Sequence, residues 1–224
     1  LPSPRRKGLF FVGEGMFYKP GEPHGMRHNP FNALVVPRPI GWISSMDTDG
    51  NVNLAPYSFF NALSYTPPHV MFAASGHHEQ GGLKDTVHNV ETQGEFVVNM
   101  VTQELVEAMN ATSVPAPHEV DEFAYAGLQT EASKVVRPPR VAGSPVHLEC
   151  RYVQTTRLRS IAPADNRVVF GEVIGIHIDD RAIEDGIVAW NKLRPVGRLG
   201  YLDYSPVETI ITHPRPKWTE EKRG

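Results

Sequence analysis

Residues 77–96 read HHEQGGLKDTVHNVETQGEF, and inside this stretch Gly81 and Gly82 lead into Lys84, Asp85 and Thr86 where helical spacing begins. Glycines adopt positive φ at little cost, so the backbone can fold closely around a ligand. A helix start offers unpaired N–H groups and a partial positive charge, a combination that favours an anion such as phosphate. Lys84 adds a mobile cation and Thr86 a hydroxyl. A commoner explanation serves the same residues: Asp85 or Thr86 is an N-cap and Lys84 a solvated charge. The stretch alone favours capping.

Two further segments carry candidate chemistry. In APYSFFNALSYTPP (55–68), Ser58, Asn61 and Ser64 are spaced by three among Tyr57, Phe59 and Phe60. A surface loop with this many aromatics is expected to contact something. Its amides and hydroxyls suit the polar edge of a flat heteroaromatic ring; equally, it is a buried connection whose Ser and Asn satisfy their own backbone. In IGWISSM (40–46), Trp42 and Ser44 share one face of a strand and Ile43 and Ser45 the other. Either serine can meet a phosphate or a sugar-alcohol hydroxyl, or simply face solvent.

The elements that must position these residues are mostly strands. Ile40–Met46 and 51–55 flank the turn Asp47–Gly50, whose Asp-Gly pair signals a hairpin. A Pro-flanked loop precedes an apolar strand over 70–75. A helix starts near Lys84, a buried strand covers 95–101 and a short helix 103–109. Two long strands, 146–158 and 167–178, finish the core. In the second, Val169, Gly171, Val173, Gly175 and His177 form a face of little bulk, as at a close approach or a tight bend. No β-α-β-α alternation occurs, so the expected fold is mainly β: an antiparallel barrel, closed or partly closed, with two or three helices outside.

Composition narrows the function. The 224 residues are 40% hydrophobic and 21% charged, as in ordinary globular chains. A net charge of −3 without basic clusters argues against nucleic acid as partner. No apolar run is long enough for a membrane helix, and the patch after the basic residues 5–7 is broken by Gly and Glu, unlike an export signal. A single cysteine, Cys150, suits a reducing compartment, and the expected location is cytoplasmic. Gly13-Glu-Gly15 starts like a dinucleotide fingerprint but has Tyr18 at the third glycine position. His77 and His78, adjacent and alternating if extended, cannot chelate one metal, and neither C-x-x-C nor H-E-x-x-H occurs; no metal site is expected. A serine hydrolase elbow is also missing. Cys150, on a core strand, reads as a packed apolar residue rather than a nucleophile.

Five segments in order, RPIGWISSMDTDGNVNLAPYSFFNALSYTPPHVMF (38–72), GGLKDTVHN (81–89), EFVVNM (95–100), MNATS (109–113) and LRPVGRLG (193–200), resemble the flavin reductase-like family. Within it, the likeness is to flavoredoxin-like proteins and to reductase components of two-component monooxygenases, such as nitrilotriacetate monooxygenase component B. The resemblance implies an antiparallel Greek-key split barrel of the FMN-binding type over residues 31–205, between an N-terminal arm (1–30) and a C-terminal tail (206–224). It also implies FMN, with FAD as the alternative, bound at a homodimer interface. By that likeness Trp42, Ser44 and Ser45 lie along the flavin and its ribityl-phosphate arm. Ser58, Phe59, Phe60 and Asn61 line the isoalloxazine edge, with Ser64 nearby, and Lys84, Asp85 and Thr86 hold the phosphate. This tips the helix start towards the anion. His77-His78 stands where members often carry a basic residue near the phosphate, so binding there would depend on pH.

The implied activity is hydride transfer from NAD(P)H to flavin N5, in which the protein supplies position and the flavin the chemistry. No Asp, Glu or His is nominated as a proton donor, so the catalytic set is empty. A monooxygenase or another redox protein is the implied downstream partner. Two alternatives stand beside the enzyme: an FMN-bound electron carrier reduced by a protein, and a non-catalytic flavin- or haem-binding split barrel.

Overall fold

The computed structural model describes residues 15–161 and 163–218; the first fourteen residues of the expected arm, and Gly13 of the failed fingerprint, lie outside it. Seven antiparallel strands form the main sheet: β1 (Gly41–Met46), β2 (Val52–Tyr57), β3 (Phe60–Tyr65), β4 (Pro68–Ser75), β5 (Glu95–Asn99), β8 (Val146–Leu158) and β9 (Asn166–Ile178). Short pairs surround it: β6 (Thr130–Glu131) with β7 (Arg140–Val141), β10 (Ile183–Glu184) with β11 (Ile187–Val188), and β12 (Val196–Arg198) with β13 (Tyr204–Pro206). The helices are α1 (Phe31–Leu34), α2 (Asp85–Gln93), α3 (Val106–Ala111), α4 (Glu122–Tyr125) and α5 (Trp190–Leu193).

The strand order is β2-β1-β5-β8-β9-β4-β3. Its two edge strands, β2 and β3, are consecutive in the chain with only Ser58 and Phe59 between them. Two residues cannot span a flat seven-stranded sheet, whose strands lie roughly 4.8 Å apart. The sheet therefore curls until its edges meet: the Tyr57 ring of β2 packs against Phe72 of β4 at 4.9 Å, and the Ala73 amide donates to the Phe59 carbonyl at 2.7 Å, carrying the β3–β4 ladder up to the seam. This is the split barrel.

Residues 55–68 are thus not a loop. The first three complete β2, and 60–65 form an edge strand whose pairing with β4 is interrupted by a bulge between Ala62 and Ser64. The long strands and α2 fall where their periodicity places them.

The barrel interior is filled by Ile43, Tyr57, Phe72, Phe96, Cys150, Val169 and their neighbours. A second cluster, with Trp42, Leu54, Met109, Phe123 and Val196, seats α3 and α4 on the other face of β1 and β2. β1 is consequently buried on both faces. The low-bulk side of β9 is the inner one: Val169, Gly171 and Val173 are buried. Gly171 is required there, because a Cβ would lie 2.3 Å from the ring of Phe96, which is itself fully buried.

Gly171→Ala is expected to lower the unfolding free energy by about 1–3 kcal/mol through overpacking. The additional change Phe96→Leu should recover part of that loss. Urea denaturation measures both, and an alanine variant as stable as the parent would contradict the tight approach.

Candidate functional site

A cavity of about 310 Å³ opens at the seam, walled by Ala55–Phe59 on one side, Ala73–Ser75 on another, and the start of α2 with residues 112–116 around its far end. Lys84, Asp85, Thr86, Ser58 and Phe59 from the expected set line it. Five residues from two stretches of chain are brought together.

At the α2 end, neither Asp85 nor Thr86 is the cap. Both lie inside the helix, the N-cap position is Lys84, and no side chain caps the first turn. The helix amides are left to other partners, which is the arrangement an anion needs. Gly81 and Gly82 lead in with φ of 94° and 77°, a region that favours glycine. Lys84 has no ion-pair partner among the described residues; the lysine pair found there is Lys192 with Glu184. Asp85 is hydrogen-bonded to His118 and lies 3.6 Å from Nε2 of His78. The Thr86 hydroxyl accepts from Asn53 Nδ2 at 2.8 Å and is almost fully buried.

The structure does not bring Trp42, Ser44 and Ser45 to the cavity. β1 has no free face, and all three are fully buried. The Trp42 indole donates to the Thr112 hydroxyl at 2.9 Å, so it supports the cavity wall from behind. Ser44 donates to the carbonyl of Pro139, and Ser45 accepts from Asn53 and Asn89 at 3.3 and 3.2 Å. Phe60, Asn61 and Ser64 run along β3 away from the opening. Phe60 packs on Gly41, Asn61 is exposed, and Ser64 donates to the Pro67 carbonyl at 2.7 Å.

Several wall residues were not singled out from sequence: Thr112 and Ser113, Tyr57, Asn53 and Glu122. The first two belong to the MNATS segment, so the signal was present but had no assigned place. Tyr57 is buried and its hydroxyl is pushed up to about 12 by that burial, so it stays neutral. Glu122 is buried, with a carboxyl raised to about 6 by burial despite accepting from the Leu54 amide at 3.0 Å. His78, Asp85 and His118 form a cluster no local spacing announced, with the two imidazoles stacked 3.7 Å apart. Both nitrogens of His78 are already engaged, Nε2 with the Ala116 carbonyl at 2.9 Å and Nδ1 with the Gln80 amide at 3.1 Å. Burial pushes the Cys150 thiol up, as befits a packed residue.

The flavin reductase like domain matches residues 33–197, and the chain belongs to that family. A protein of Aquifex aeolicus is 44% identical over 75% of this chain and 83% of its own length. The crystal structure of nitrilotriacetate monooxygenase component B from Bacillus cereus is similar, with TM-score 0.81, 25% identity, and 90% of this chain and all of that chain covered. A 2-nitrobenzoate 2-nitroreductase from Pseudomonas fluorescens follows at TM-score 0.72 and 26% identity, over 84% of this chain and 90% of that one. The split-barrel fold and the flavin reductase-like membership read from sequence both hold. No helix among the described residues is long and apolar enough to cross a membrane.

Glu122 sets a pH dependence. Its folded pKa lies above the ordinary 4.5, so the folded state holds the proton more tightly than the unfolded one. Stability therefore falls as pH rises from 4.5 through about 6 and is level above. Glu122→Gln should raise the unfolding free energy by about 1 kcal/mol above roughly pH 7 and leave it unchanged below roughly pH 4. Denaturation curves at the two extremes give the test; a gain of the same size at both would mean that charge is not the cause.

Proposed function

We propose that the chain is an FMN-binding oxidoreductase that receives hydride from NAD(P)H, with FAD as the alternative flavin. The observation that carries it is the uncapped start of α2 with the unpaired Lys84 at the mouth of the seam cavity. The residues fit the group: a flexible glycine pair, free helix amides and one cation suit a phosphate monoester. Residues 31–205 are the domain that does this. Bound flavin supplies the redox chemistry, accepting hydride at N5 from nicotinamide C4.

The chain's own part is position. Lys84 and the first amides of α2 anchor the phosphate, and residues 112–116 wall that end of the cavity, with the Thr112 hydroxyl held by the Trp42 indole and the Met109 carbonyl. The short seam, Ser58-Phe59, offers backbone groups to the ring edge on a rigid closure rather than a mobile loop. Tyr57 is neutral, which adds no repulsion of the anion. Trp42, Ser44 and Ser45 act behind the wall.

A homodimer with the flavin at its interface is part of the same reading. Residues 61–65 of β3 are all exposed, among them Leu63 at 50% and Tyr65 at 91%. An exposed edge strand carrying such side chains calls for a cover. A second copy supplies it and finishes a cavity that one chain leaves open; light scattering that returns the mass of one chain would remove this part. The name of the component B relative supports transfer onward to a monooxygenase or another redox protein.

The purified protein should be yellow or take up FMN, and its flavin absorption should bleach with NADH or NADPH alone. Bleaching only with a protein reductant would instead mark an electron carrier, and a colourless protein that refuses FMN would overturn the reading. Lys84→Ala should weaken FMN by roughly tenfold to a hundredfold, the worth of about 1.5–3 kcal/mol for a charge-assisted contact. Fluorescence titration measures it.

A further inference from the structure

A second cavity, larger than the one at α2 at about 710 Å³, lies on the other side of Ser58 and shares Pro56, Ser58 and Ser113 with the first. Two arginines line it, Arg38 and Arg198. They are cross-strand partners: Arg38 and Arg198 form an isolated antiparallel bridge, with their amides and carbonyls exchanged at 2.9 and 2.8 Å.

Like charges placed directly opposite each other across a bridge destabilise it. Neither guanidinium has a carboxylate ion-pair partner among the described residues, although arginines elsewhere in the chain do, as Arg167 with Asp165 and Glu91. Their donors go to neutral carbonyls instead. Arg38 Nη1 reaches the carbonyls of Asn32 and Val35, and Nη2 that of Leu199 at 3.0 Å. Arg198 donates to the Tyr201 carbonyl and lies 4.4 Å over the Tyr204 ring. Arg38 is 93% buried by its 7% exposure, and its Nε has no acceptor among the described residues. Burial and the nearby Arg198 both lower its pKa. Glu107, the one carboxylate lining this cavity among the described residues, pairs with neither arginine.

Two positive charges are thus fixed on one wall of a cavity large enough for a substrate, with carbonyls to orient them and no carboxylate paired with them among the described residues. We propose that the Arg38–Arg198 cavity is an oxyanion site serving the flavin cavity, taking the phosphate or carboxylate of the molecule that exchanges electrons there. Arg198, partly exposed and held flat on Tyr204, makes the contact; Arg38, locked in the backbone, contributes its field. The assignment rests on the flavin reading for what lies next door, but the anion site stands on its own residues.

The test uses FMN-saturated protein, in which the Lys84 end is filled, titrated calorimetrically with inorganic pyrophosphate and separately with benzoate. It is repeated on flavin-free Lys84→Ala protein, so that a failure of flavin binding does not hide anion binding. At least one anion should bind at millimolar concentration or below. Arg198→Gln should weaken it by roughly tenfold, Arg198→Lys by less, and FMN affinity should stay within about twofold. Glu107→Gln, an exposed helix substitution that leaves the fold intact, should tighten the same anion. Preference for pyrophosphate assigns the site to a nicotinamide dinucleotide, and preference for benzoate to an organic acid. Absence of binding in the parent, or equal affinity across the parent, Arg198→Gln and Glu107→Gln, overturns the proposal.

Discussion

Closure of the sheet at Ser58-Phe59 is the constraint on which the rest depends. Because β2 and β3 are both the edges of the seven-stranded sheet and neighbours in the chain, the barrel must shut where they meet. Closure removes an open edge between them, but it leaves a crease in which backbone groups cannot all be paired within regular ladders. Both cavities lie along that crease and share Ser58. The site is therefore a by-product of how the barrel closes, and it is as rigid as the sheet that forms it.

The interior has to be tight for the seam to close. Gly171 admits the Phe96 ring to van der Waals distance of the β9 backbone, and Phe72 meets that ring edge-on at 5.6 Å. These contacts draw β4, β5 and β9 around a common centre, where Tyr57 of β2 also meets Phe72 at 4.9 Å. On the outer face, α3 and α4 cover β1 and β2 and bury Trp42, while the segment at Pro139 covers Ser44. Burial on both faces makes β1 the stiff wall of the site rather than its lining.

Much of the scaffold was legible in the sequence because its signals are local. The period-two pattern of β8 and β9, the Asp-Gly turn after β1, and the glycine pair before α2 are each set by neighbours a few residues away. β3 was not legible: its residues are exposed, it is interrupted by a bulge and it ends before a proline, so it carries no alternating apolar face. The burial of Ser44 was hidden for a different reason. Its partner is the carbonyl of Pro139, ninety-five residues on, and a serine gives no sign of whether a distant segment will cover it. The Asp85–His118 pair and the Arg38–Arg198 bridge are likewise products of topology, joining residues whose sequence neighbourhoods are unremarked.

The distribution of charge along the crease follows from what each end must hold. At the α2 end a single lysine is supplemented by helix amides, a geometry that wraps a tetrahedral group from several directions. The Asp85 carboxylate at the same helix start is engaged by His118. At the other end there is no helix start; two guanidinium groups sit in a roomy, mostly uncharged cavity, which suits a ligand that comes and goes better than one enclosed. Between them the wall is Pro56, Tyr57 and Ser58, neutral and small or fixed, with Tyr57 kept protonated by burial. Under the proposed function, a neutral middle with a cation at each end would suit two anionic molecules meeting face to face over an uncharged ring system, with each tail directed outward. Such an arrangement would keep like-charged tails apart while the reacting parts stack, with electrostatics at the ends and sterics at the seam imposing orientation.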